Sequence, residues 1–152
     1  MSPEPTHELL YLELEDVLAL YADLFDLDEQ EAKDRLRNED GLRSALHRPM
    51  TYAHYMKADI ATQGAALAHG IAEGQPFLEG NKRIGLIALR TFLAINGYDV
   101  TASQEERADW MISLSRGTTV EELADRIRVV LRVMPLATEE GRLESSVNAV
   151  DL

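Results

Sequence analysis

The chain reads as an all-α protein on three observations. Apolar residues recur at helical spacing through most of its length, two capping-box patterns mark helix starts, and no segment of any length alternates strictly as a half-buried strand would. The one strand-like stretch, Tyr98 to Thr101, is too short to build a sheet alone. A chain of 152 residues, 45% of them apolar, with no break in composition, is expected to fold as one domain around one core.

The elements follow in order. Leu14, Val17, Leu18, Tyr21, Leu24 and Phe25 share one helical face, and Glu15 and Asp16 sit where a first turn favours negative charge. Residues 28–37 run from acidic to basic, as a short surface helix should. Gly41 to Leu46 form an apolar helical turn that Pro49 is expected to stop, because it disfavours helical geometry at Arg48. From Ala58 to Ala72, one stripe of Ile60, Gly64, Leu67 and Ile71 and another of Ala61, Ala65, Ala68 and Ala72 predict a central helix that other backbones can approach closely.

Gly74 is a natural left-handed stop, and Pro76 is expected to hold Gln75 extended. A second inner helix, about Lys82 to Asn96, is apolar on nearly every face. Ser103 with Glu106, and Thr119 with Glu122, open two further helices, around Trp110, Met111 and Leu114 and around Leu123, Ile127 and Leu131. Residues 1–137 are thus assigned to a helical domain. Residues 138–152 are polar, acidic and weakly periodic, and read as a flexible C-terminal tail or an added contact.

Function concentrates in the connection between the two inner helices, Gly74-Gln75-Pro76-Phe77-Leu78-Glu79-Gly80-Asn81-Lys82-Arg83-Ile84-Gly85. A glycine-rich loop leading into a helix, with cations at the helix start, is suited to an anion, because free N–H groups and the helix dipole point at it. Lys82 and Arg83 oppose the dipole unless an anion sits between them, and the arginine fork can grip phosphate twice. Gly80 permits close backbone approach, and Asn81 can cap the helix or donate to phosphate. Glu79 is the single acid between Gly74 and Tyr98. On its own it reads as an N-terminal acid facing the dipole; beside a phosphate cradle it becomes a ligand for Mg²⁺, which takes one or two carboxylates plus phosphate oxygens. Phe77 is expected to anchor the loop in the core.

Composition narrows the partners. A formal net charge of −12 disfavours nucleic acid, and the small Lys82–Arg83 patch suits a nucleotide better than a duplex. No apolar run reaches membrane-spanning length, the N-terminus lacks signal-peptide regions, and there are no cysteines; a cytoplasmic protein with no membrane and no nucleic-acid partner is expected.

The loop resembles the signature of the Fic/Doc family, His-x-Phe-x-(Asp/Glu)-(Gly/Ala)-Asn-(Gly/Lys)-Arg, at Phe77, Glu79, Gly80, Asn81, Lys82 and Arg83. Gly41-Leu42-Arg43-Ser44-Ala45-Leu46-His47-Arg48-Pro49 is similar to a segment of Doc-like members, so the likeness spans about residues 9–100. It implies a helical bundle with the loop between its two central helices, the acid on Mg²⁺, the asparagine and arginine on the phosphates of ATP or another nucleotide, and transfer of a phosphoryl or nucleotidyl group to a protein hydroxyl. Lys82, in place of glycine, and Leu86, where many adenylylating members carry a second phosphate-binding arginine, look more like Doc; Gly80 departs from Doc, which has alanine. No inhibitory Ser/Thr-x-x-x-Glu-(Gly/Asn) segment is visible, so the resemblance implies a toxin whose antitoxin supplies the inhibitory helix.

The departure that matters most is Gln75, which stands where the family places its catalytic histidine. A carboxamide can position but cannot act as a general base. His69 reads as a packed or surface helix residue. Tyr52 and His54 lie in the segment that covers the target in relatives, giving them a target-contact reading beside a surface-loop one. The alternative to an enzyme is a Fic-fold module that keeps the cradle and has lost transfer.

Overall fold

The structure, a computed structural model, describes residues 8–134; the expected tail at 138–152 lies outside the described residues. Within them the order is α1 (Leu14–Phe25), α2 (Glu29–Asp34), α3 (Glu39–Met56), α4 (Ile60–Gly74), α5 (Asn81–Ile95), β1 (Tyr98–Val100), α6 (Gln104–Leu114), α7 (Val120–Val130) and β2 (Leu131–Val133). The fold is all-α, as the sequence predicts. Among the described residues the one sheet is the antiparallel pair β1–β2, in register Tyr98↔Val133, Asp99↔Arg132 and Val100↔Leu131.

The centre is α4, with 11 of its 15 residues buried; α3, α5 and α7 pack around it. Small residues make the packing close. A Cβ on Gly85 of α5 would stand 3.2 Å from the Ala68 carbonyl oxygen of α4, so the two helices meet nearly backbone to backbone. Side chains start the helices where the sequence offers them: Asp28, Asn38, Asp59, Ser103 and Thr119 each accept a first-turn N–H. Such a cap contributes about 1 kcal/mol. The box is reciprocal at Ser103–Glu106, whereas Glu122 turns to the Thr119 hydroxyl at 3.1 Å.

Five expectations need correction. Pro49 does not stop α3, which runs through it for 18 residues. The proline removes one helical bond, worth about 3 kcal/mol with its clash. It is buried, however, and apolar residues from both halves of α3, from Leu42 to Tyr52, pack into the core. His54 consequently lies in the last turn of a helix, and the surface-loop reading fails.

Gln75, rather than Gly74, is the left-handed residue (φ 48°, ψ 56°), its N–H donating to Ile71 O at 3.1 Å. It is not extended, because the chain must turn there for Pro76 and Phe77 to pair with residues 35–38. Finally, α5 is apolar on a broad face only, with Leu86 and Ile87 half-buried and Ile95 41% exposed.

Candidate functional site

The loop between α4 and α5 is held from three sides. From inside, Phe77 is fully buried and stacks on Tyr21 of α1, centroids 4.0 Å apart with planes at 7°. From α1, the Tyr21 hydroxyl donates to the Glu79 carbonyl at 3.0 Å. Burial pushes that phenol's pKa up, with Arg35 pulling it the other way. From the α2–α3 connection, Arg37 and Asn38 donate their N–H groups to Pro76 O at 2.8 and 3.0 Å, Leu78 N donates to Arg35 O at 2.9 Å, and Leu36 bridges Phe77. The loop is therefore a short extended partner of residues 35–38.

Asn81 closes the loop on itself. Its Oδ1 accepts from Phe77 N at 2.9 Å and its Nδ2 donates to Phe77 O at 3.0 Å. Both ends of the carboxamide are thereby engaged with backbone, so Asn81 shapes the cradle. Gly80, at φ 76°, stands at the N-cap of α5 with no side-chain cap, which leaves the first-turn N–H groups open. Phe25 lies directly above: a Cβ on Gly80 would meet its Cζ at 2.5 Å.

Charge gathers around the same ring. Arg83 lies with its Cζ 5.7 Å from the Phe25 centroid, and Arg35 at 5.8 Å. Arg35 Nη1 also contacts Glu79 Oε1 at 3.2 Å, the two side chains being 35% and 63% exposed. Lys82 is exposed on the first turn of α5. The fold thus brings Glu79, Gly80, Lys82 and Arg83 to one end of α5, together with Arg35, Phe25 and Tyr21, which sequence reasoning did not assign to the site. The only hint of Arg35 was the acidic-to-basic run of α2; its partnership with Glu79 spans 44 residues.

Other predicted positions are elsewhere. Gln75 is exposed at the C-cap of α4, next to the loop. Tyr52 and His54 belong to the last turns of α3, which runs antiparallel to α4, with Arg48 opposite His69. They therefore sit toward the start of α4, a helix about 22 Å long, and the fold does not bring them to the loop. His54 instead packs edge-on against Tyr55 at 4.6 Å.

His69 is no substitute base. Arg48 Nη1 approaches its Nδ1 at 3.4 Å and Glu73 Oε2 lies 2.9 Å from its Nε2. Arg48 and Glu73 thus engage the two ring nitrogens, and neither is free.

Glu79 is the loop's single carboxylate and is paired with Arg35, and no cluster of three or more His, Cys, Asp or Glu occurs among the described residues. Among the described residues no helix is long and apolar enough to cross a membrane.

The connection between the two central helices of this all-α domain thus presents an uncapped helix start, one carboxylate and two arginines. The Fic/DOC family model matches residues 11–93, more than half of the chain, and the protein belongs to that family. No curated protein matches it.

Proposed function

We propose that the protein is a Doc-like, Mg²⁺- and nucleotide-dependent transferase that moves a phosphoryl or nucleotidyl group to a protein hydroxyl, with chemistry weakened by Gln75. The observation that carries this reading is the uncapped start of α5, with Glu79 on one side and Arg83 on the other, in a chain of this family. Glu79 would hold Mg²⁺, which supplies charge neutralisation when bound; Lys82, Arg83 and the N–H groups of α5 would hold the phosphates of ATP or another nucleotide. Asn81 and Phe77 keep those groups in place.

In the reaction the target hydroxyl oxygen forms a bond to phosphorus while the bond to the leaving phosphate group breaks. The hydroxyl proton passes to solvent or to a phosphate oxygen, because Gln75 cannot accept it. Losing a base typically removes about 10² to 10⁴ in rate. Phosphoryl transfer through a loose transition state depends mostly on positioning and charge, and a glutamine can orient the attacking oxygen. A toxin role, restrained by an antitoxin that covers the site with a helix, fits this activity and a cytoplasmic setting.

Labelled ATP and a bacterial lysate test the reading. A labelled protein band is expected with the wild type and not with Glu79→Ala or Arg83→Ala. No labelling with any nucleotide removes the enzyme claim.

One observation favours a second reading, a module that binds nucleotide or phosphate without transfer. His69, the nearest histidine in sequence to Gln75, has both ring nitrogens engaged. Calorimetry that finds Mg²⁺-dependent nucleotide binding, with no transfer, selects this reading.

A further inference from the structure

We infer that Arg35 is a phosphate-binding residue of this site and that its ion pair with Glu79 gives way when a metal-bound polyphosphate binds there. The inference rests on the reading above that the loop holds a metal-bound polyphosphate.

Arg35 is registered to the loop by its backbone. Its carbonyl accepts from Leu78 N at 2.9 Å, one residue before Glu79, and the next residue forms the Leu36–Phe77 bridge. Its guanidinium shares the Phe25 ring with that of Arg83, at 5.8 and 5.7 Å. An arginine laid over an aromatic ring keeps the N–H groups at its edge for in-plane acceptors, the geometry that suits phosphate.

Charge supports the same assignment. Around the start of α5 stand Arg35, Lys82 and Arg83, faced by Glu79 as the loop's one acid. An exposed ion pair of this kind contributes only about 0–1 kcal/mol, so a polyphosphate can displace it. When Glu79 ligates a divalent cation, its negative charge is taken up and Arg35 is left beside the phosphates. Arg35 therefore opposes binding of a cation alone and favours binding of nucleotide, two effects of opposite sign that a purely structural brace would not produce.

The full-length protein and Arg35→Gln are compared by two measurements: free Mn²⁺ by electron paramagnetic resonance without nucleotide, and ATP calorimetry at saturating Mg²⁺. Arg35→Gln is expected to bind Mn²⁺ about 3-fold more tightly and ATP about 10-fold more weakly, with Arg35→Lys between. Unchanged ATP affinity in Arg35→Gln, or parallel loss of both affinities, overturns the role of Arg35 while the nucleotide reading stands. A wild type that binds no nucleotide ends that reading and this inference together. Glu79→Gln keeps the test open if Arg35→Gln misfolds: freed from its carboxylate, Arg35 should tighten ATP binding measured without metal several-fold, and no tightening sinks the inference.

Discussion

Phe25 dictates the residue at position 80. Its ring occupies the space that a Gly80 side chain would need, 2.5 Å from the position of that Cβ, and Gly80 also holds a backbone φ of 76°. Gly80→Ala should therefore cost about 2–3 kcal/mol in urea denaturation, combining left-handed strain with overpacking. Adding Phe25→Ala removes the clash but not the strain, so the double variant should lose less than the sum of the two single losses. Strict additivity would mean the two residues do not oppose each other.

Asn81 is expected to act through shape. Asn81→Ala removes both bonds to Phe77 and should cost about 2 kcal/mol of stability along with phosphate binding. Asn81→Asp keeps the acceptor for Phe77 N but sets a carboxylate against Phe77 O, and should recover little. If instead Asn81→Ala melts like the wild type and only nucleotide affinity falls, the side chain belongs to the ligand.

Gln75→His should restore chemistry without a penalty in the fold. Histidine tolerates the left-handed region at least as well as glutamine, so the melting temperature should not fall. The rate of transfer should rise by about 10² or more, in the range general-base catalysis supplies. A variant that folds, binds nucleotide and gains nothing would place the defect beyond position 75.

The acid limb of stability should trace in part to Asp59. This carboxylate caps α4 through Thr62 N at 2.9 Å and takes two bonds from Arg128 of α7, at 2.8 and 3.1 Å. Burial alone would raise its pKa, but the Arg128 and Thr62 hydrogen bonds with the Arg128 charge outweigh burial and hold it below the ordinary carboxylate value. Below pH about 4 the unfolded chain then binds more protons than the native one, so this stabilisation is full above that pH and is lost as pH falls through the folded value. Asp59→Asn should cost about 2 kcal/mol at pH 7 in denaturant titration, and the gap to the wild type should narrow below pH 4. A gap constant down to pH 2 would assign the acid limb to other groups.

Much of this was legible because it is local. Helical spacing located the helix cores, Ser103 and Glu106 marked a start, and Glu79, Gly80, Asn81, Lys82 and Arg83 stood next to one another in the chain. What could not be read depends on distance or on tertiary override. Pro49 is carried by burial of the helix on both sides of it. Gln75 turns left-handed because Pro76 must meet Arg37 and Asn38, and no local preference encodes that. β2 has three residues and no pattern of its own. Phe25 and Tyr21 registered only as members of the first helix's apolar face, although one roofs Gly80 and the other holds the carbonyl of Glu79.

The two hydrogen bonds that the Arg37 and Asn38 N–H groups donate to the Pro76 carbonyl make the connector between α2 and α3 a gauge of fixed length. Inserting or deleting a single residue there would slide Arg35 and Leu36 past Leu78 and Phe77, and with them the carboxylate at position 79. Length variation that most surface connections absorb is closed to this one, whatever residues fill it.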